Sequence, residues 1–464
     1  MNSASRKLCL VAGLLGVAAA GTAWSMSRPR RGLPRASAAD TAAFALDVFL
    51  PVFAKGVIVR RPRVEGLWAR TGIEDRGVRR MQRLRDRYGP GPVMLRLPVR
   101  EQAVVLSPHH VHRVLQASPE PFSTASSEKR AALGHLEPKG SLVSDGAERA
   151  DRRRFNEQVL DHGRYVHGMA DDLLPVVREE AAAILREARR RGVLDWDGFA
   201  QGWFRMVRRV VFGEGARDDH ALSEMTYALR QAANWAFLRP RRTALRERFF
   251  ERVRQHLDRA EPGSLAGRAA QVRKTAVTEP HQQVAQWLFA FDPAGMATFR
   301  ALALLAAHPE HAQAARDEAM AGDPRSLPLL RATVLEALRL WPTTPMILRQ
   351  TTAETQWEAG AMPQGTGVLV YTPFFHRDET RLPFAHRFAP ELWLQERGDA
   401  DWPLMPFSGG PGVCPARNLV AMLASAMLAA LVEEQVPRLA RPTRLDTARL
   451  PATLDHFSLR FACP

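Results

Sequence analysis

From Asp145 to about Leu340, apolar residues recur at helical spacing between charged ones, and the stretch reads as mostly helical. Within it, Leu222 to Ala260 carries its apolar residues between arginines, and Val284 to Ala307 reads as one long apolar helix interrupted by Pro293. The flanks follow another rhythm. Val93 to Pro108 (VMLRLPVREQAVVLSP) sets two β-rich runs either side of polar Arg100, Glu101 and Gln102, which predicts a hairpin. After Trp341-Pro342 come short extended runs, MILRQTT and GVLVYTPFF, with turn signals at Pro363, Gly365 and Gly367. The expectation is a mainly α protein with a small β-subdomain. No repeat of fixed period is visible, which sets aside solenoids and propellers.

Composition narrows the picture. The chain has 464 residues, 46% of them hydrophobic and 25% charged, the balance of a globular body with a sizeable core, and no linker divides it. The net charge of +16 invites a nucleic-acid reading, but five of the 65 basic residues are lysines and the arginines are scattered without aromatic interleaving. No nucleic-acid partner is expected. Three cysteines, Cys9, Cys414 and Cys463, have no paired spacing, so neither a disulfide framework nor a structural zinc site is indicated.

Residues 8–27, LCLVAGLLGVAAAGTAWSMS, are uncharged and about long enough to cross a bilayer. Arg6 and Lys7 precede them, and Arg28, Arg30, Arg31 and Arg35 follow, an arrangement that leaves the body of the protein cytoplasmic. Three readings stay open: a membrane anchor, a signal peptide cleaved after Ala18-x-Ala20, and an extension without function. The expected division is 1–40 as anchor or extension and 41–464 as the body.

In MPFSGGPGVCPARNLVAMLASAMLAALVEE, Cys414 ends a loop holding Gly409, Gly410 and Gly412, and a long apolar helix follows. Pro415 suits a first helical position, which would set the cysteine at the positive end of that helix, a place that favours a thiolate. Glycines let backbone fold close beneath a flat ligand and turn N–H groups to the sulfur. From this loop alone, a buried cysteine in an ordinary loop explains the residues equally well.

The run Phe407-Ser-Gly-Gly410-Pro-Gly412-Val-Cys414-Pro-Ala416 resembles the heme-binding signature of the cytochrome P450 family, F-x-x-G-x-[RH]-x-C-x-G. Phe407, Gly410 and Cys414 match in spacing. Gly412 stands where a basic residue meets a heme propionate, and Ala416 replaces a glycine. The helix ATVLEALRLWP holds Glu336 and Arg339 at the family's E-x-x-R spacing; without the resemblance, a solvated pair on a helix face would be the reading. In the family this pair joins an arginine from P-E-R, but here Pro390-Glu391-Leu392 lacks it, and His386 or Arg387 is a candidate substitute. The stretch Asp145 to Arg153 resembles the helix carrying W-x-x-x-R, with Arg149 at the aromatic and Arg153 at the basic position. Arg349 resembles a further propionate contact, and fixed guanidinium groups suit a carboxylate-bearing cofactor. A solvated basic face over Arg152 to Arg154 is the competing reading.

The resemblance implies a cytochrome P450 fold, heme b as cofactor, Cys414 as its axial ligand, and Arg149, Arg153, Arg349, Phe407, Gly410, Gly412 and Ala416 around it. The family's central helix carries [AG]-G-x-[DE]-T, whose acid and threonine handle protons at the oxygen site. Counting back from His308-Pro309 aligns Phe289-Ala-Phe-Asp292-Pro293 with it, so Asp292 keeps the acid and Pro293 replaces the threonine. Thr298 is a reserve candidate for the hydroxyl, and a helix-kink cap is the other reading of Asp292. The activity implied is a monooxygenase using O2 and electrons from a ferredoxin or flavin reductase on a lipophilic small molecule. A basic surface at Arg149 to Arg154 would steer an acidic donor. A peroxygenase or peroxide-rearranging enzyme is the alternative, and a heme-binding or partner-recruiting module without turnover is the alternative of another class.

Overall fold

The computed structural model describes residues 32–98, 100–395, 403–440 and 445–463. Residues 8–27 and Cys9 lie outside them. The predicted hairpin forms, with β1 (Val93–Leu95) antiparallel to β2 (Gln102–Val104) and Met94 opposite Ala103. Together with β3 (Phe122–Ser123), β4 (Met346–Thr351) and β5 (Gly367–Tyr371) these strands make a five-stranded sheet in the order β1-β2-β5-β4-β3. The extended run after Gly367 is shorter than expected. Thr372–Arg377 turns into a helix, because Pro373 has no N–H for a strand ladder and suits a helix's first turn.

The helices that position the site are α1 (Pro108–Gln116), α2 (Ser127–Leu133), α3 (Gly146–Val159), α4 (Ala170–Arg191), α5 (Trp196–Phe212), α6 (His220–Ala233), α7 (Pro280–Ala307), α8 (Pro328–Leu340) and α9 (Arg417–Val432). Helix α7 starts earlier than its apolar run, at Pro280, and continues through Pro293. By length and composition it could cross a membrane, but 78% of its most apolar window is buried inside the body, as befits a core helix. It packs on α5, α8 and α9.

Two apolar cores result. One lies among α4, α5, α7, α8 and α9, and takes in Phe407 and Cys414 at its margin. The other lies under the sheet, and includes Leu115 of α1 and Met405. The cysteine loop therefore runs from one core to the other. The body begins before residue 41: Leu33 and Ala36 are buried, Arg35 bridges to Met94, and a helix spans Ala38–Phe44, so a boundary at 40 would cut a helix.

Candidate functional site

The loop before α9 closes on itself. The Cys414 N–H donates to the Phe407 carbonyl at 3.0 Å, and the Val413 N–H donates to the Gly410 carbonyl at 3.0 Å. Gly410 sits at φ +57°, and a β-carbon there would lie 2.1 Å from the Leu115 carbonyl, so glycine alone lets the loop dock on the end of α1. Ala416 has φ −93° and is buried without strain, so the family's glycine is not required at that position. Helix α9 starts at Arg417, three residues after the cysteine. Pro415 thus lies in the preceding turn and not at the first helical position.

Cys414 is half-buried at the end of this loop. Burial raises its pKa. The Ala416 N–H, Arg153 and Arg417 act in the opposite direction without prevailing. Helix position alone therefore does not make the thiolate here; a metal cation at the sulfur would, because coordination deprotonates a thiol outright.

Three arginines converge on this loop. Arg349 Nη2 donates to Ser408 Oγ at 3.3 Å, Arg149 Nη2 to the Pro411 carbonyl at 3.3 Å, and Arg153 Nη1 to the Val413 carbonyl at 2.7 Å. Their burial removes the reading of Arg149, Arg152 and Arg153 as a solvated basic face, and with it the expected docking surface for an acidic partner at that stretch. Arg152 turns elsewhere, to Ser144 Oγ and the Val277 carbonyl. Among the described residues, neither Arg149 nor Arg349 has a carboxylate within ion-pair distance, whereas Arg153 Nε pairs with Glu157 at 2.6 Å while its Nη2 is buried without a partner. Buried guanidiniums without counter-charge are costly, and a ligand carrying carboxylates at the edge of a flat ring, above a sulfur donor, fits them.

The Glu336–Arg339 pair is not on solvent. Both side chains are 0% exposed, with Arg339 Nε and Nη2 at 2.5 and 2.9 Å from the Glu336 carboxylate. Arg339 also donates to the carbonyls of His376, Ala385, Phe384 and Arg387. Glu336 accepts from the Ala389 N–H at 2.8 Å and from Trp393 Nε1 at 3.1 Å. Trp393 thus supplies the third partner that Leu392 cannot. Neither expected substitute does so by its side chain: Arg387 donates to the Pro383 carbonyl, and His386 meets Arg377. A tryptophan three residues after Pro390 was the signal available in the sequence.

On α7, Asp292 shares a face with Leu288 and Met296 and lines a cavity of about 360 Å³ that also touches Arg60, Arg230 and His456. Its carboxylate is ion-paired with Arg230 of α6, whose guanidinium also lies 5.0 Å over the Phe289 ring. Asp292 is therefore not a helix-kink cap; Arg230, 62 residues away, escaped the sequence reading. Pro293 leaves the Phe289 carbonyl without its intrahelical donor. Thr298 is fully buried, and its hydroxyl donates to the Ala294 carbonyl at 2.8 Å, so it does not join Asp292 in the cavity. The lining histidine, His456, is held neutral by burial, its pKa brought down to about 4.

A family model described as Cytochrome P450 matches residues 281–435. Cytochrome P450 98A8 of Arabidopsis thaliana is 39% identical over 97 residues, 20% of each chain. Cyclooctat-9-en-7-ol 5-monooxygenase of Streptomyces melanosporofaciens is 33% identical over 140 residues, 28% of this chain and 30% of that one. The chain spans 20% to 31% of the length of the first curated relatives that it matches. Over the whole body the likeness is one of fold. The crystal structure of a cytochrome P450 (CYP102L1) aligns with a TM-score of 0.71 at 17% identity, covering 94% of this chain and 99% of that one. The retinoic acid-bound cyanobacterial CYP120A1 aligns with a TM-score of 0.66 at 18% identity, covering 82% and 93%. With α7, the Glu336–Arg339 pair and the Cys414 loop inside the segment that matches the Cytochrome P450 family model, the chain resembles that family over residues 281–435 and shares the fold of cytochrome P450 structures over its body.

Proposed function

We propose that this protein is a heme-thiolate monooxygenase that places one oxygen atom of O2 into a lipophilic small molecule, using electrons from a ferredoxin or flavin reductase. The observation that carries the reading is half-buried Cys414 at the end of a loop that receives the buried Arg149 and Arg349, neither of which has a carboxylate partner among the described residues. Heme bound through a cysteine thiolate supplies the redox chemistry, the sulfur pushing electron density that favours O–O cleavage. The relatives named as monooxygenases support the same activity.

The chain's own residues do the rest. Arg149, Arg153 and Arg349, which donate to the cysteine loop, would hold and orient the cofactor's carboxylates. The Ala416 N–H bonds to the sulfur and restrains its electron donation. Asp292, ion-paired with Arg230, carries protons from the cavity, while the Phe289 carbonyl, which Pro293 deprives of its helical donor, accepts a hydrogen bond from water or substrate. The Glu336–Arg339–Trp393 network fixes the approach to the cysteine loop. Membrane attachment through residues 8–27, with the body cytoplasmic, belongs to this reading.

A peroxide-driven activity is the second reading. It is favoured by Pro293 at the threonine position and by the commitment of the Thr298 hydroxyl to its own helix. Parallel turnover of one panel of lipophilic substrates, with reductase and O2 or with hydrogen peroxide, decides between them. Product from O2 alone supports the monooxygenase; product from peroxide alone, with none from O2, overturns it.

A further inference from the structure

The turn between Cys414 and α9 is gripped from outside the cysteine loop. Helix α3 ends at Val159, and His162, in the segment that follows it, reaches that turn. His162 Nδ1 lies 3.2 Å from the Pro415 carbonyl oxygen, and Asn418 Nδ2, in the first turn of α9, donates to the His162 carbonyl at 3.2 Å. Asn418 is itself held. Its Oδ1 accepts from Arg331 Nη2 of α8 at 2.6 Å, while Arg331 lies 3.9 Å over the Tyr165 ring and its Nη1 donates to the Tyr165 carbonyl at 3.2 Å. The two segments thus exchange one bond in each direction, and Arg331 ties them together. Asp161, immediately before His162, adopts the left-handed region at φ +52°, and its carboxylate pins that turn by accepting the Gly168 N–H at 2.8 Å.

Chemistry fixes the direction of the histidine bond. Burial and the charges of Arg153 and Arg417 lower the His162 pKa, so the ring is neutral and carries one hydrogen. A carbonyl only accepts, so that hydrogen sits on Nδ1 and His162 is the donor. The acceptor matters, because the Pro415 carbonyl and the Ala416 N–H belong to one planar peptide unit. The N–H end of that unit bonds to the Cys414 sulfur. Donation to the carbonyl end holds the plane in place and polarises the N–H end, since hydrogen bonds in a chain strengthen one another.

We infer that His162 is a positioning residue for the heme ligand: through the Pro415–Ala416 peptide it sets the hydrogen bond to the Cys414 sulfur, and with it the electron donation of that sulfur. The inference rests on the heme reading above. The cysteine motif does not announce this residue, which lies 253 positions before Pro415.

The test measures the reduction midpoint of the full-length heme-loaded protein by equilibrium dye titration, and the carbon-monoxide spectrum of each reduced variant shows that the thiolate is still bound. His162→Leu removes the donor and leaves the sulfur more electron-rich. It is expected to lower the ratio of reduced to oxidised heme at a fixed poise about threefold, the lower end of what one hydrogen bond is worth. His162→Asn, whose Nδ2 stands where the imidazole Nδ1 does, is expected to keep the parent's ratio. Asn418→Leu cuts the other arm and is expected to shift the ratio in the same direction by less. A residue that only filled space would change stability without moving the ratio, or would move it equally in the leucine and asparagine variants. A parent-like ratio in His162→Leu, or equal shifts in His162→Leu and His162→Asn, therefore overturns the inference. Circular dichroism identifies a variant that fails to fold; if His162→Leu is one, an unshifted ratio in Asn418→Leu overturns the inference in its place. A parent without a thiolate-type band overturns the heme reading instead.

Discussion

Replacing Glu336 by glutamine removes one negative charge from a place that water does not reach. The side chains of Glu336 and Arg339 are both fully buried, and their contact is two-pronged. Breaking a buried pair by neutralising one partner costs about 3–5 kcal/mol, because the other charge stays desolvated. Glu336→Gln belongs at the lower end, about 3 kcal/mol, since Arg339 keeps four backbone carbonyls as acceptors. Arg339→Leu costs more: it takes the side-chain donor from the carbonyls of His376, Ala385 and Arg387, at about 1–3 kcal/mol for each buried group before relaxation, and leaves the Glu336 carboxylate without its counter-charge, held by the Ala389 N–H and Trp393 alone. That sum approaches the whole stability of an ordinary domain, about 5–15 kcal/mol, so Arg339→Leu is expected not to accumulate as folded protein. Urea unfolding of the heme-loaded parent and Glu336→Gln, followed by circular dichroism, measures the first value. A loss below about 1 kcal/mol, the range of an exposed ion pair, would refute the reasoning.

Three further outcomes follow from the geometry. Gly410→Ala is expected to lose heme and stability by more than about 2 kcal/mol, since it adds a left-handed strain to a clash with the Leu115 carbonyl, whereas Ala416→Gly changes heme retention little; equal heme retention in the two variants contradicts this. Asp292→Asn is expected to lower O2-driven product formation about 100-fold while heme content stays at the parent level, and unchanged product per electron consumed rules out the proton role. Burial holds His376 at about 3 and His456 at about 4, both below the ordinary 6.5. Unfolding then takes up protons below pH 6.5, so stability is full above about pH 7 and falls as pH drops toward 4, by up to about 1.4 kcal/mol per pH unit for each histidine. His376 Nε2 accepts the Met405 N–H at 2.9 Å, so His376→Gln is expected to shrink the loss between pH 7 and 5 in urea unfolding; an unaltered pH dependence counts against it.

Much of the helical frame, the β1–β2 hairpin and the cysteine loop were legible because each is announced by a short-range pattern: apolar spacing, a polar break, or glycines at fixed offsets. The switch from strand to helix at Thr372 was hidden by the β-rich run GVLVY leading into it, although Pro373 marked it. The site divides the same way. Cys414, Phe407, Gly410, Glu336 and Arg339 are fixed by local motif spacing. Their partners come from afar: Trp393 lies 57 residues from Glu336, and Arg230 lies 62 from Asp292. No periodicity links such residues, and only the packing of α6 on α7, or of the loop after Pro390 on α8, brings them together. The arginines of α3 show another limit. A run of like charges reads as a solvated face, yet here Arg149, Arg152 and Arg153 turn inward toward loop carbonyls and hydroxyls, a choice that depends on what stands opposite.

The central claim is that the Cys414 sulfur is the heme ligand. The carbon-monoxide difference spectrum of the reduced full-length protein tests it most directly, recorded beside Cys414→Ala at equal heme content. The account predicts a strongly red-shifted thiolate-type band in the parent and its loss in the variant. A parent without that band, or a variant that keeps it, would contradict the account.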